Sequence, residues 1–196
     1  MDYPFYIRQI GSIRPELLQQ LQQAYLSHTK FALAPGFTPQ FGLQQPVDFD
    51  LGPLQAEVLA DLSRWFAPAT CVQLKYNVMP PGKGLGEHSD LDGYGDNDYT
   101  MYSCFAHHRV HIPLITNPGV EFWHRRTRAL ASERQATPQV GGVYLYNDYV
   151  LHSVQNKGSE NRVHLVLKFA DPKHVVKRQL LIQQQIKIGE YYECVK

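Results

Sequence analysis

Two stretches of this 196-residue chain repeat one pattern: Arg109-Val110-His111-Ile112-Pro113-Leu114 and Arg162-Val163-His164-Leu165-Val166-Leu167. As an extended strand, each puts Arg and then His on one face and three aliphatic residues on the other. A helix would scatter both sets around its surface, so the period of two selects strands. Two arrangements accommodate such strands. One is an antiparallel sheet with one wet face. The other is a barrel whose outer face packs on helices and whose polar inner face forms a site.

The rest of the chain supplies the context. Residues 5–10 read as a short strand. Pro15 opens a helical period through Leu17, Leu18, Leu21 and Tyr25, and Pro53 opens another through Leu54, Val58, Leu59, Leu62 and Phe66. Residues 31–52, rich in Pro, Gly and Gln, read as loop. From Thr70 onward the period is two. Residues 71–78 end at Pro80-Pro81-Gly82, and residues 110–115 end at Asn117-Pro118-Gly119. Residues 120–123 follow, then 143–146 between Gly141-Gly142 and Asn147-Asp148, then 163–169. Residues 175–188 read as a helix. Helices, then strands, then a helix predict a mainly β fold, a sandwich or barrel flanked by helices.

Composition limits the functional classes. The length suits one domain with a sizeable core. A formal net charge of +1 argues against a general nucleic-acid binder, which needs a concentrated basic face. No apolar run reaches membrane-spanning length, and residues 1–16 lack a signal-peptide pattern. Three widely spaced cysteines, Cys71, Cys104 and Cys194, fit a reducing cytoplasm.

Four residues carry the chemistry. His88-Ser89-Asp90 lies just past a Pro/Gly turn, and His152 is followed ten positions on by Arg162. An imidazole and a carboxylate two apart, plus one distant imidazole, can supply three ligands to one face of an iron ion. An arginine beside them can hold a carboxylate-bearing cosubstrate. Neither half is specific alone. Nine histidines and ten aspartates give about half a His-x-Asp match by chance. His124 and Arg134 also satisfy the ten-residue offset, but their stretch is charged and shows no strand pattern. Residues 152–162 read instead as strand, turn and strand, a hairpin that places His152 and Arg162 as neighbours on one sheet face. The strands that follow the candidate ligands favour the barrel arrangement.

The order of these pieces, PPGKGLGEHSD, HRVHIPLITNPGVEFW, GGVYLYNDYVLHSVQNKG and NRVHLVLKF, resembles the aspartyl/asparaginyl β-hydroxylase-like branch of the Fe(II)- and 2-oxoglutarate-dependent oxygenases, which includes proline hydroxylases. The resemblance covers residues 72–171. It implies a double-stranded β-helix, a jelly-roll or cupin-like barrel, with N-terminal helices and a C-terminal helix. Within one oxygenase domain, 1–69 would be helical support, 70–171 the β-helix core and 172–196 the C-terminal helix. It implies iron ligation by His88, Asp90 and His152, and pairing of Arg162 with the distal carboxylate of 2-oxoglutarate. Arg109 would face the site and contact a carboxylate of substrate or cosubstrate. His111 would share that face, and Asn77 would assist the cosubstrate.

The activity implied is hydroxylation of a C–H bond in an amino acid or a peptide or protein side chain, consuming O2 and releasing succinate and CO2. Some β-hydroxylases lack the carboxylate ligand, which Asp90 supplies here. Residues 92–107 are longer than the corresponding family segment and read as a surface insertion or a substrate-covering lid. Two other readings are a metal-binding cupin that does not use 2-oxoglutarate and a non-catalytic ligand-binding barrel; Arg162 and the His-x-Asp order argue against the first, and the intact ligand set against the second. The run 124–128 reads as a solvated loop rather than a grip for an acidic partner. Tyr144, Tyr146, Tyr149 and Trp123 read as core or sheet surface as readily as pocket lining.

Overall fold

The computed structural model describes residues 7–34, 42–66, 69–88, 107–125, 130–146 and 151–170. Two helices precede the main strands. Helix α1, Pro15–Ser27, starts with Pro15, whose fixed φ suits the first turn and whose missing N–H would have no partner there. It buries Leu17, Leu21 and Tyr25. Helix α2, Pro53–Phe66, buries Val58, Leu62 and Phe66. Neither helix is long and apolar enough to cross a membrane. The C-terminal helix expected at 175–188 lies outside the described residues.

Eleven strands are described: β1 Ile7–Ser12, β2 Phe31–Leu33, β3 Gln44–Pro46, β4 Thr70–Met79, β5 Gly84–His88, β6 His107–Ile115, β7 Val120–Arg125, β8 Glu133–Gln135, β9 Gly142–Tyr146, β10 Leu151–Asn156 and β11 Arg162–Ala170. They form two antiparallel sheets, one ordered β1-β9-β6-β11-β4-β3-β2 and the other β5-β10-β7-β8. The chain changes sheet after β4, β5, β6, β8, β9 and β10, which is the winding of a jelly roll.

Some sequence expectations need correction. Residues 31–52 are not all loop, because β2 and β3 pair and extend the large sheet. The charged stretch after His124 does contain a strand: β8 pairs with β7, and Arg134 and Lys157 both reach the Glu121 carboxylate at the sheet surface. Its strand signal is ionic rather than apolar. Likewise, His124 and Arg125 belong to β7 and not to a solvated loop, while residues 126–128 lie outside the described residues.

The alternating strands sort as the sequence implied. Val110, Ile112 and Leu114 of β6, with Val163, Leu165 and Leu167 of β11, are buried in a core shared with α1 and α2. Each such side chain contributes about 1.5–3 kcal/mol by leaving water. The Tyr76 hydroxyl donates to the Leu21 carbonyl at 3.2 Å and ties β4 to α1. The opposite faces of β4, β6, β9 and β11 look toward the small sheet. There a second cluster, including Met79, Phe122, Tyr146 and Val154, fills part of the space between the sheets.

His152 and Arg162 are not neighbours on one sheet face, as the hairpin reading expected. β10 belongs to the small sheet and β11 to the large one. The turn between them is a corner pinned by Asn156, which is fully buried. Its amide donates to the carbonyls of Met79 and Glu160, each at 2.8 Å. Its oxygen accepts from Asn117 Nδ2 and the Gly158 N–H, each at 3.2 Å. These bonds hold the chain between the sheets, so His152 and Arg162 meet across the interior.

Candidate active site

A cavity lies between the sheets. The small sheet contributes His88, His152, Phe122, Leu85 and Val154; the large sheet contributes Lys75, Asn77, Arg109, His111, Tyr146, Arg162 and Val166. Every described residue singled out for the site from sequence therefore lines one space. Asp90 and Tyr149, with most of the 92–107 segment, lie outside the described residues.

His88 and His152 are direct partners in the β5–β10 ladder, and their ring centroids are 4.3 Å apart. His88 Nδ1 donates to the Gly86 carbonyl at 2.7 Å, since a carbonyl can only accept. That fixes the tautomer and leaves Nε2 as the lone-pair nitrogen, the usual arrangement of a metal-ligating histidine. Glu87 next to it forms an ion pair with Arg125 of β7, bracing β5 and β7 on either side of β10. His124 occupies the same ladder row as His152, but its Nδ1 donates to the Glu133 carbonyl at 3.3 Å. Among the described residues, no three His, Cys, Asp or Glu side chains converge. Two imidazoles side by side fit two-thirds of a facial iron site.

Opposite this pair lies a buried polar row. Arg162 is 3% exposed, His111 7% and His164 0%. Arg162 Nη2 lies 2.8 Å from His164 Nδ1, and its guanidinium sits 5.3 Å from the centre of the Phe122 ring. A guanidinium has no acceptor, so His164 Nδ1 carries no proton. His111 Nδ1 is 3.3 Å from the same atom and must be the donor. Burial, followed by the charge of Arg162, holds both imidazoles well below the ordinary histidine range, so both are neutral. His111 Nε2 is then a bare acceptor, buried and without a hydrogen-bond partner among the described residues. His111 stacks on Tyr146, with centroids 3.9 Å apart at 17°. Burial also raises the Tyr146 phenol above its ordinary range, so it is protonated. Asn77 pairs with His164 in register, and its Oδ1 is likewise buried without a partner among the described residues.

Sequence reasoning missed Lys75. The signal was present: Lys75 is two residues before Asn77 and shares its face. Tyr146, weighed as core or pocket, lines the cavity. Cys71 is a free thiol whose burial raises it above the usual range, and it donates to the Gln73 carbonyl.

A jelly roll with paired imidazoles facing a buried arginine defines a metal-dependent oxygenase type of site. The sequence model of the aspartyl/asparaginyl beta-hydroxylase family matches residues 39–172, and the chain belongs to that family. It is accordingly a hydroxylase of the Fe(II)- and 2-oxoglutarate-dependent class. Solved structures share the fold. A Pseudomonas putida prolyl-4-hydroxylase is 15% identical, with 85% of this chain and 93% of that chain covered and a TM-score of 0.52. A 2OG-Fe(II) oxygenase family oxidoreductase from Burkholderia pseudomallei is 16% identical over 78% of each chain, with a TM-score of 0.52. The epimerase SnoN, in complex with Fe3+, alpha ketoglutarate and nogalamycin RO, is 12% identical, with 83% of this chain and 77% of that chain covered and a TM-score of 0.54. No curated protein matches the sequence.

Proposed function

We propose that this chain hydroxylates a C–H bond of an amino acid or of a peptide side chain, coupled to conversion of 2-oxoglutarate to succinate and CO2. In this reading His88, Asp90 and His152 hold Fe(II), and Arg162 holds the distal carboxylate of 2-oxoglutarate. The observation that carries it is the placement of the His88–His152 pair and the buried Arg162 on opposite walls of one cavity. When bound, the metal and the 2-oxo acid supply the oxidising chemistry with O2.

The chain supplies the rest. Arg162 stays charged in a dry site and presents a fork that matches a carboxylate. His164 orients that fork by accepting one of its N–H groups. Phe122, Leu85 and Val154 exclude water from the space where the substrate carbon would sit. Asn77, the register partner of His164, lines the cavity with His111 and Arg109, and in this reading it assists cosubstrate binding.

Arg162→Ala is the direct test. Removing one member of a buried charge pair costs about 2–4 kcal/mol, and the loss should fall on 2-oxoglutarate affinity. Unchanged cosubstrate affinity by titration would rule out the assignment. Succinate formation across a panel of amino acids and short peptides then identifies the substrate.

A further inference from the structure

We propose that Gln45 is a positioning residue for the cosubstrate that acts through Asn77: it holds the Asn77 amide with its oxygen toward the sheet and its N–H groups toward the cavity. The inference rests on the oxygenase reading and adds to it a residue of β3.

The sheet register builds the contact. Gln44 pairs with Val78 between β3 and β4, which run antiparallel. One step along each strand sets Gln45 opposite Asn77, and directly opposed residues share a face. Leu43, two residues before Gln45, lines the cavity as Asn77 does, so that face is the inner one. On its other side Asn77 pairs with His164. Gln45, Asn77 and His164 thus form one row across β3, β4 and β11. Opposed Cβ atoms in such a row are about 4.5–5.5 Å apart, within the reach of a glutamine amide.

Each member of the row holds a buried polar atom with no hydrogen-bond partner among the described residues: Gln45 Nε2, Asn77 Oδ1 and His164 Nε2. Their chemistry is complementary. Arg162 donates to His164 Nδ1, so the imidazole is neutral and its proton sits on Nε2. His164 Nε2 and Gln45 Nε2 are therefore donors on the two flanks of one acceptor, Asn77 Oδ1. An amide has two faces, and only one orientation of Asn77 suits two donors. A turn of the Gln45 side chain brings its N–H onto the Asn77 oxygen, and Asn77 Nδ2 is left for the cavity.

That orientation matters to an anion. Arg162 lies two residues from His164 on β11, so the guanidinium and the Asn77 amide look into the cavity from adjacent rows of one face. With its nitrogen forward, Asn77 adds a donor beside the arginine. With its oxygen forward, it would repel the carboxylate that Arg162 holds. Gln45 is not among the described residues that line the cavity, so its effect passes through Asn77.

The test is anaerobic titration of Fe(II)-loaded protein with 2-oxoglutarate, read by calorimetry. Gln45→Leu should weaken 2-oxoglutarate binding about fivefold, the loss of one hydrogen bond, and leave Fe(II) affinity within about twofold. In Asn77→Ala protein, itself weakened, adding Gln45→Leu should cause no further loss. Gln45→Glu offers only acceptors when ionised, so it should turn Asn77 round and weaken 2-oxoglutarate more than Gln45→Leu does. That excess should shrink when Asn77 is alanine. Unchanged 2-oxoglutarate affinity in Gln45→Leu overturns the proposal. Full additivity with Asn77→Ala also overturns it, because Gln45 would then act without Asn77. So does a parallel loss of Fe(II) and 2-oxoglutarate, which marks a merely structural role. Iron-loaded wild type that binds no 2-oxoglutarate would refute the oxygenase reading and this role with it, and the wild type alone tells that outcome from the others.

Discussion

The Arg162 guanidinium donates to Nδ1 of His164, two residues further along β11, at 2.8 Å. Both side chains are buried. His164→Leu deletes the acceptor, and His164→Asn replaces Nδ1 with an amide oxygen at a similar reach. Loss of a buried hydrogen bond to a charged group costs about 1.5–3 kcal/mol. The leucine variant should lose that much stability in urea and bind 2-oxoglutarate about tenfold more weakly, with the asparagine variant recovering most of both. Equal behaviour of the two variants would show that the acceptor is not what positions Arg162.

The same pair makes stability depend on pH. His111 and His164 are held below the ordinary histidine range first by burial and then by Arg162. In the unfolded chain their imidazoles take up protons as pH falls through about 6.5, while the folded chain keeps them neutral. The unfolded state then binds more protons, so stability is full above that pH and declines below it. The slope is up to about 1.4 kcal/mol per pH unit for each imidazole. Urea midpoints of metal-free protein at pH 7.5 and 5.5 should differ accordingly. The difference should shrink in His164→Asn, and an unchanged difference would show that His164 is not one of the titrating groups.

Gly84 bears on the His88–His152 pair. It faces Gln155 in the β5–β10 ladder that also aligns His88 with His152, and a Cβ there would lie 2.6 Å from the Val154 carbonyl oxygen. Backbone does not yield cheaply, so Gly84→Ala should push β5 away from β10 at a cost of about 1–3 kcal/mol. We expect roughly tenfold weaker Fe(II) binding, measured by anaerobic titration, with little change in helix content. Wild-type metal affinity in this variant would show that the ladder is not what sets the spacing of the histidines.

Much of this site was legible in the sequence because alternation is local. Arg109, His111, Arg162 and His164 each declare a face through their aliphatic neighbours, and the barrel needs only that the opposite face meet helices. What failed was not local. The hairpin reading put His152 and Arg162 in one sheet, whereas Asn156 and its bonds to Met79, Glu160, Asn117 and Gly158 turn the chain into the other sheet. Strand β8 was missed because an ion pair, Arg134 with Glu121, stands in for apolar alternation. Lys75 was overlooked because a lone lysine on a strand normally reads as solvent-facing, and only the sheet partners show what it faces.

In the proposed reading, His88, Asp90 and His152 hold an iron to which 2-oxoglutarate chelates while Arg162 grips its far end. Adding 2-oxoglutarate to the Fe(II)-loaded protein without oxygen tests it directly. A weak metal-to-ligand charge-transfer absorption should appear and saturate, and in Arg162→Ala it should require a much higher 2-oxoglutarate concentration. Iron bound by the wild-type protein with no such absorption at any 2-oxoglutarate concentration would contradict the account.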